Sequence, residues 1–298
     1  MPKRVVIAAD VEPILLSLLA EDGRFDVVQR RGTDLGPLVQ DAEILITRTF
    51  NDVPRAVLEA APRLRIVAQG TSGTDNIDLA AAREIGIEVI SLPGVNANAV
   101  AELVMGFMLS LTRTVPAYTR EVRESMWRRG DCATRHELRA YRLGIVGHGN
   151  VGSRVAKLAR AFGLEPRAYD PYIAPFEGRV ETLDQLLATS DILTLHVPLT
   201  DETHRMIAAP QLAQLPHGAF VINASRGEVL DADAALASLA TNHLGGLALD
   251  VFDPEPPHRE WPDDPRLIVT PHIAGCTFEA KNAAGELLYR ELVKRVSS

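Results

Sequence analysis

The sequence predicts an α/β protein with two doubly wound parallel sheets, and three observations carry that reading. Short apolar runs alternate with amphipathic stretches along most of the 298 residues, the pattern of βα units whose parallel strands are covered on both faces. The alternation occurs in two series, separated by a long apolar helical stretch and a polar, arginine-rich passage between residues 98 and 142. At the start of the second series a glycine-rich turn, Gly147-His148-Gly149-Asn150-Val151-Gly152, joins a strand-like run to a helical one.

In the first series, residues 5–9, 27–29, 44–47, 66–69 and 88–91 read as strands, and residues 12–20, 54–61 and 79–85 as helices, the last ended by Gly86. Residues 98–112 read as a longer helix. In the second series, residues 143–146, 166–169, 192–196, 219–223, 246–250 and 267–270 read as strands, with helices over 153–162, 183–189, 210–214 and 232–241. The final helix, 277–295, has no strand after it and is expected to cross back onto the first domain. That gives a discontinuous domain, 1–97 with 275–298, around a continuous one, 98–274. A cleft between two such domains is a natural meeting place for a cofactor and a substrate.

The glycine turn sits in an informative setting. Leu143-Gly144-Ile145-Val146 leads into it, and Val155, Leu158, Ala159 and Phe162 follow at helical spacing. A second apolar patch ends in Asp170, 18 positions after Gly152. Strand, turn, helix, strand and acid in that order fit a dinucleotide. Gly147 permits the tight turn and Gly149 lets backbone N–H groups approach a pyrophosphate. Gly152 lets the helix pack closely on the strand, with its positive N-terminus facing the phosphates. Asp170 is placed to accept hydrogen bonds from both ribose hydroxyls of NAD and to repel the 2′-phosphate of NADP, so NAD is the expected cofactor.

Bulk properties narrow the partners. A formal net charge of −8 argues against nucleic acid. The two cysteines, Cys132 and Cys276, imply neither a disulfide framework nor a CxxC metal site. No metal-ligand spacing links His148, His196 and His204, so no metal is expected. The N-terminus runs directly into a strand, without the long apolar region of a signal peptide. The apolar helix near 97–111 contains Glu102 and is too short to span a bilayer. The expectation is a cytoplasmic protein with no membrane partner.

Three polar residues follow strands of the second series: Arg226 after Phe220-Val221-Ile222-Asn223, Glu255 within Asp250 to Pro256, and His272 within Thr270 to Gly275. Loops beyond the carboxyl ends of parallel strands line the ligand crevice. Arginine there can hold a carboxylate and polarise a carbonyl. Histidine can take a hydroxyl proton as hydride leaves the same carbon, and a carboxylate on its other nitrogen would fix the tautomer. Each is also compatible with an ordinary surface or capping role.

The ordered blocks settle the comparison of those readings. Gly70 to Asp78, Pro93-Gly94-Val95-Asn96, Leu143 to Gly152, His196-Val197-Pro198-Leu199-Thr200, Asn223 to Gly227, Asp250 to Pro256 and Pro271 to Gly275 together resemble the NAD-dependent D-isomer-specific 2-hydroxyacid dehydrogenases over nearly the full length. The resemblance implies a Rossmann NAD-binding domain inserted in a flavodoxin-like substrate domain. It also implies a catalytic trio at Arg226, Glu255 and His272.

The resemblance implies finer assignments too. Backbone amides around Ser72 and Gly73 would bind the substrate carboxylate, the alternative being a plain strand-to-helix turn. Asn150 and Val151 would touch the pyrophosphate, and Val197 and Pro198 the adenosine side. Ala224, Arg226 and Asp250 would line the nicotinamide, with Asp250 open to a second reading as a buried structural acid, and Ser72, Ser225, His272 and Gly275 would also bind the cofactor. Arg48 matches a position facing the active site in members acting on phosphorylated substrates, the alternative being a solvated arginine. Cys276 reads as a packing residue. The helix from Asn98 resembles the family's dimer-forming element, so a homodimer is expected. Leu103 and Ala140 depart from the common pattern without touching the trio. Members acting on phosphoglycerate share these motifs with glyoxylate and hydroxypyruvate reductases, and some blocks also resemble erythronate-4-phosphate dehydrogenase. Arg48 favours the phosphoglycerate-like reading. A non-catalytic, NAD-sensing corepressor is the alternative outside enzymes, and the intact trio argues against it.

Overall fold

The structure, a computed structural model, describes residues 1–30, 32, 34–127 and 135–297. Cys132 and the middle of the arginine-rich passage lie outside the described residues. The chain divides into two compact units, Met1–Asn96 with Cys276–Ser298, and Ala97–Gly275.

The first unit runs β1 (Lys3–Ile7), α1 (Pro13–Glu21), β2 (Phe25–Gln29), β3 (Ile44–Thr47), α2 (Arg55–Glu59), β4 (Ile66–Gln69), α3 (Leu79–Ile85) and β5 (Glu88–Ile90). Its strands form one sheet in the order β2-β1-β3-β4-β5, every pair parallel. This is the flavodoxin-like order, in which the connections leave β1 in opposite directions, so β1 and β3 flank the switch point. Apolar runs without alternation fit strands buried on both faces: all four residues of β3 and of β4 are buried.

The second unit runs α4 (Ala97–Thr112), α5 (Val115–Arg123), β6 (Leu143–Val146), α6 (Asn150–Ala161), β7 (Arg167–Tyr169), α7 (Leu183–Leu187), β8 (Ile192–Leu195), α8 (Ala209–Leu212), β9 (Ala219–Asn223), α9 (Ala232–Ala240), β10 (Leu244–Leu249) and β11 (Leu267–Val269). The sheet order is β11-β10-β9-β8-β6-β7, again all parallel. Its switch point lies between β6 and β8. Val104, Met105 and Met108 of α4 pack with Val155 and Ala159 of α6 and Ile145 of β6 in one buried cluster.

The last helix, α10 (Phe278–Val296), belongs to the first unit. Ala284, Leu288 and Leu292 join Val5, Ile7, Leu15 and Leu19 in its core. Each buried leucine there contributes roughly 1.5–3 kcal/mol relative to exposure. Gly285 permits the approach: a Cβ on it would lie 2.8 Å from the Ile14 side chain. Most element ends fall within two residues of the sequence reading. Two differences have physical causes. The helix read as 153–162 starts at Asn150, because its first turn is part of the glycine loop itself. The sequence reading has no helix at α5, which buries no side chain; its short apolar stripe, Val115, Tyr118 and Val122, lies among charged residues and outside the core.

No single helix among the described residues is long and apolar enough to cross a membrane; α4 and α5 reach that length only together, across a 63° bend.

Candidate active site

Gly147 has φ 88°, and a Cβ on it would meet the His196 carbonyl oxygen at 2.6 Å. The loops leaving β6 and β8 therefore touch at the switch point, where ligands of such sheets bind. A Cβ on Gly152 would lie 2.0 Å from the Gly147 carbonyl oxygen, so α6 can pack against the turn only through a glycine. A Cβ on Gly149 would meet nothing within 4 Å. That glycine answers no packing demand from the protein, and the open space above it is what a pyrophosphate at the N-terminus of α6 needs. Asn150 and Val151 form the first helical residues. Asp170 follows β7, and its carboxylate accepts from the His148 N–H at 2.8 Å and the Tyr172 N–H at 3.0 Å. Those bonds fix the acid beside the turn and leave lone pairs for further donors. The residues present fit a dinucleotide.

Two histidines and a threonine-braced loop lie beside the turn. His148 stacks on Phe176 at 4.0 Å between ring centroids, and burial holds its imidazole below the usual value. Burial pushes His196 down to about 3, so it is neutral, sharing a 2.9 Å hydrogen bond between its Nε2 and the Thr194 hydroxyl. In the loop after it, the Pro198 carbonyl accepts from the Thr203 hydroxyl at 2.6 Å, which shapes Val197 and Pro198.

A second cluster lies in the same unit, beyond β9, β10 and β11. Asn223 ends β9 and is 1% exposed. Its Oδ1 accepts from the Ser225 N–H at 3.1 Å and hydroxyl at 2.9 Å, and its Nδ2 donates to the Arg226 carbonyl at 2.8 Å. This side chain thus builds the loop that carries Ala224, Ser225 and Arg226. Gly227 follows because a Cβ there would lie 2.1 Å from the Phe252 carbonyl; the Arg226 loop rests directly on the segment leading to Glu255.

Glu255 Oε1 accepts from the Phe252 N–H at 2.9 Å, and Oε2 meets His272 Nδ1 at 2.7 Å. A carboxylate is an acceptor, so Nδ1 carries a proton and Nε2 is the ring atom left to exchange one. His272 has φ 51°, in the left-handed region, a conformation that costs a non-glycine residue about 1–3 kcal/mol. Asp250 offsets that cost. It is fully buried, and its Oδ1 accepts from the Thr270 hydroxyl at 2.6 Å and the Ile273 N–H at 2.9 Å. Its Oδ2 accepts from the Ala274 N–H at 2.8 Å, and its carbonyl from the His272 N–H at 2.8 Å. The acid is the organiser of the histidine loop, consistent with the structural reading of Asp250. Gly275 follows, half-buried.

The hydrogen bond to Glu255 holds His272 above the ordinary imidazole value, against the opposing effects of burial and of Arg226. Burial pushes Glu255 upward, but His272, the Phe252 N–H and Arg226 outweigh it and leave the carboxyl below its usual value. The pair is therefore ionised together between those two limits. Its contribution to stability is lost as pH falls through the lowered Glu255 value or rises through the raised His272 value. If His272 exchanges a proton during turnover, the pH profile follows it. Glu255→Gln should shift the descending limb of a reductive pH–rate profile toward lower pH, because the imidazole loses its raising partner; a stopped-flow profile with an unshifted limb would contradict the pairing.

The remaining sequence-selected residues lie in the first unit. Arg48 follows β3 and is largely buried. Its guanidinium pairs with the carboxylate of Glu12, which is buried too, and it donates to the Gly70 carbonyl at 3.3 Å. The arginine is thus paired rather than solvated, while its buried Nε has no hydrogen-bond partner. The turn containing Ser72 and Gly73 is held from beneath: Gln69, buried at the end of β4, donates to the Gly73 carbonyl at 3.1 Å and the Asn76 side chain at 2.8 Å. Asn76 donates on to the Asn51 carbonyl at 2.6 Å. The Ser72 hydroxyl donates to the Leu92 carbonyl at 3.0 Å. Cys276 is exposed rather than packed. No cluster of metal-ligating side chains occurs among the described residues.

Glu12, Gln69, Asn223 and their roles escaped the sequence reading. For two of them a signal existed. Gln69 and Asn223 each end an apolar strand with a buried polar side chain, as Asp250 does one residue after β10, and such a residue has to satisfy its hydrogen bonds within the loop that follows.

Known proteins resemble this chain in sequence and in fold. Residues 105–274 match the D-isomer specific 2-hydroxyacid dehydrogenase, NAD binding domain. The chain is 33% identical over 303 residues to a D-3-phosphoglycerate dehydrogenase of Methanocaldococcus jannaschii, covering 98% of this chain but 57% of that relative. It is 35% identical over 269 residues to a hydroxypyruvate reductase of Thermotoga maritima, covering 88% of each. The crystal structure of a D-lactate dehydrogenase from Aquifex aeolicus complexed with NAD and lactic acid superposes with a TM-score of 0.88 at 26% identity, covering 99% of this chain and 96% of that one. The chain belongs to the D-isomer specific 2-hydroxyacid dehydrogenase family.

Proposed function

We propose that the protein interconverts a D-2-hydroxy acid and its 2-keto acid, with NAD as the redox partner. The observation that carries this reading is the 2.7 Å contact between His272 Nδ1 and Glu255, on a loop resting against the one that carries Arg226. When bound, NADH supplies the hydride that reduces C2 of the keto acid. In that direction His272 gives the proton on Nε2 to the developing alkoxide, and in the reverse direction it takes the hydroxyl proton. Glu255 fixes the tautomer and favours the protonated ring. Arg226 orients the acid and polarises its carbonyl. The amides of Ser72 and Gly73 receive the substrate carboxylate, and Asn150, Val151, Val197, Pro198 and Asp170 receive the dinucleotide.

NADH oxidation against hydroxypyruvate, glyoxylate, pyruvate and 3-phosphohydroxypyruvate tests this directly. Turnover of at least one is expected; silence with all four while NADH binds would favour a nucleotide-sensing protein. Asp170→Ala should erode the preference for NADH over NADPH by about tenfold or more, since a carboxylate no longer opposes the 2′-phosphate. Unchanged discrimination in kcat/KM would remove the ribose role. We also propose a homodimer formed through the segment from Asn98. Val115, Val122, Met126 and Trp127 expose apolar surface after α4, which suits an interface; sedimentation equilibrium checks it.

A further inference from the structure

Arg48 invites the reading of an anion clamp, yet its charge is already met. Glu12 lies at the end of the loop leaving β1, and Arg48 begins the loop leaving β3. These strands are neighbours and flank the switch point of the first sheet, the place where a ligand of such a sheet is received. The Glu12 side chain is 4% exposed and that of Arg48 15%. Although Glu12 occupies the N-cap of α1, its carboxylate does not cap the helix; it turns to Arg48 instead. The helix it precedes is held by α10 through the close contact at Gly285, so the acid is fixed in place. Arg48 in turn lies over Gly70, with Nε 3.4 Å from where a Gly70 Cβ would be, and donates to the Gly70 carbonyl two residues before Ser72.

From this geometry we infer that Glu12 is a specificity-determining residue that neutralises Arg48 and selects substrates with a single anionic group. The inference rests on the reading of Ser72 and Gly73 as the carboxylate receiver. A buried ion pair presents almost no net charge to a newcomer, and removing either partner leaves the other uncompensated. A 2-keto acid carrying a small neutral substituent meets only the carboxylate receiver and a neutral pair. One carrying a phosphate brings two further negative charges toward the fixed Glu12 carboxylate, whose repulsion offsets the attraction of Arg48. The substrate class is therefore a short, unphosphorylated 2-keto acid, and the phosphorylated preference first suggested by Arg48 reverses once its partner is included.

The test measures calorimetric affinities of the NADH-loaded protein for oxamate, a monoanion, and 2-phosphoglycolate, which adds a phosphate. The unaltered protein should bind oxamate at least as tightly as phosphoglycolate. Glu12→Gln should strengthen phosphoglycolate binding roughly tenfold, with oxamate changing less than about threefold, and adding Arg48→Gln should abolish that gain. Tighter binding of phosphoglycolate by the unaltered protein, or an unchanged ratio in Glu12→Gln, would overturn the assignment alone. Failure of both probes to bind would overturn the carboxylate receiver and this inference together. Should Glu12→Gln not fold, the neutral double variant decides: a loss of phosphoglycolate affinity beyond about tenfold, with oxamate unchanged, would make Arg48 a working clamp and refute the inference, while an unchanged ratio supports it.

Discussion

Replacing His272 with alanine is expected to lower turnover by about a hundredfold to ten-thousandfold, the range that a positioned acid–base group supplies, while NADH affinity changes little. The reasoning starts from the ring's surroundings. Glu255 occupies Nδ1 at 2.7 Å, so proton exchange falls to Nε2, and the two histidines beside the glycine turn are poorly suited to replace it. His196 is driven to about 3 by burial, and His148 is held low against Phe176. Fluorescence titration with NADH separates the two effects: near-normal turnover, or a loss of activity explained by lost NADH binding, would contradict the role. Only a small loss of stability is expected, about 1 kcal/mol or less, because the His272 side chain is 45% exposed and the loop's order derives from Asp250.

Two glycines of the same turn should behave in opposite ways. Gly149→Val places its side chain in open space, so unfolding free energy should change by about 1 kcal/mol or less. The added methyls occupy the approach of the pyrophosphate, and NADH affinity should fall about a hundredfold. Gly152→Ala brings a Cβ to 2.0 Å from the Gly147 carbonyl. It should therefore destabilise the protein by about 1–3 kcal/mol through forced displacement of α6 and weaken NADH as well. Denaturant unfolding with parallel NADH titration of both variants checks the pair. Equal stability losses in the two, or unimpaired NADH binding in Gly149→Val, would contradict the separate duties assigned to them.

The contrast between these glycines shows what a sequence exposes and what it withholds. The strand, turn, helix and acid from Leu143 to Asp170 are local in the chain, and each is dictated by residue type at fixed spacing. Buried parallel strands such as β3 and β4 were readable because both faces are apolar and the runs are short. The α5 helix was not, since it buries nothing. The supporting residues of the site divide in the same way. Asn223 builds a loop within four residues of itself, and a polar residue closing an apolar strand was a usable signal. Glu12 and Arg48 are 36 positions apart, and only the strand order that places β1 beside β3 brings them together. A residue's type suggested an anion clamp; its partner, supplied by topology, changes what that charge can do.

The measurement that tests the central claim most directly follows deuterium into product from NADH carrying deuterium at both C4 positions, with chiral analysis of the 2-hydroxy acids formed from hydroxypyruvate and from pyruvate. The account predicts deuterium at C2 in proportion to NADH consumed and the D isomer wherever C2 becomes a stereocentre. An L product, or NADH consumed without deuterium at C2, would contradict it.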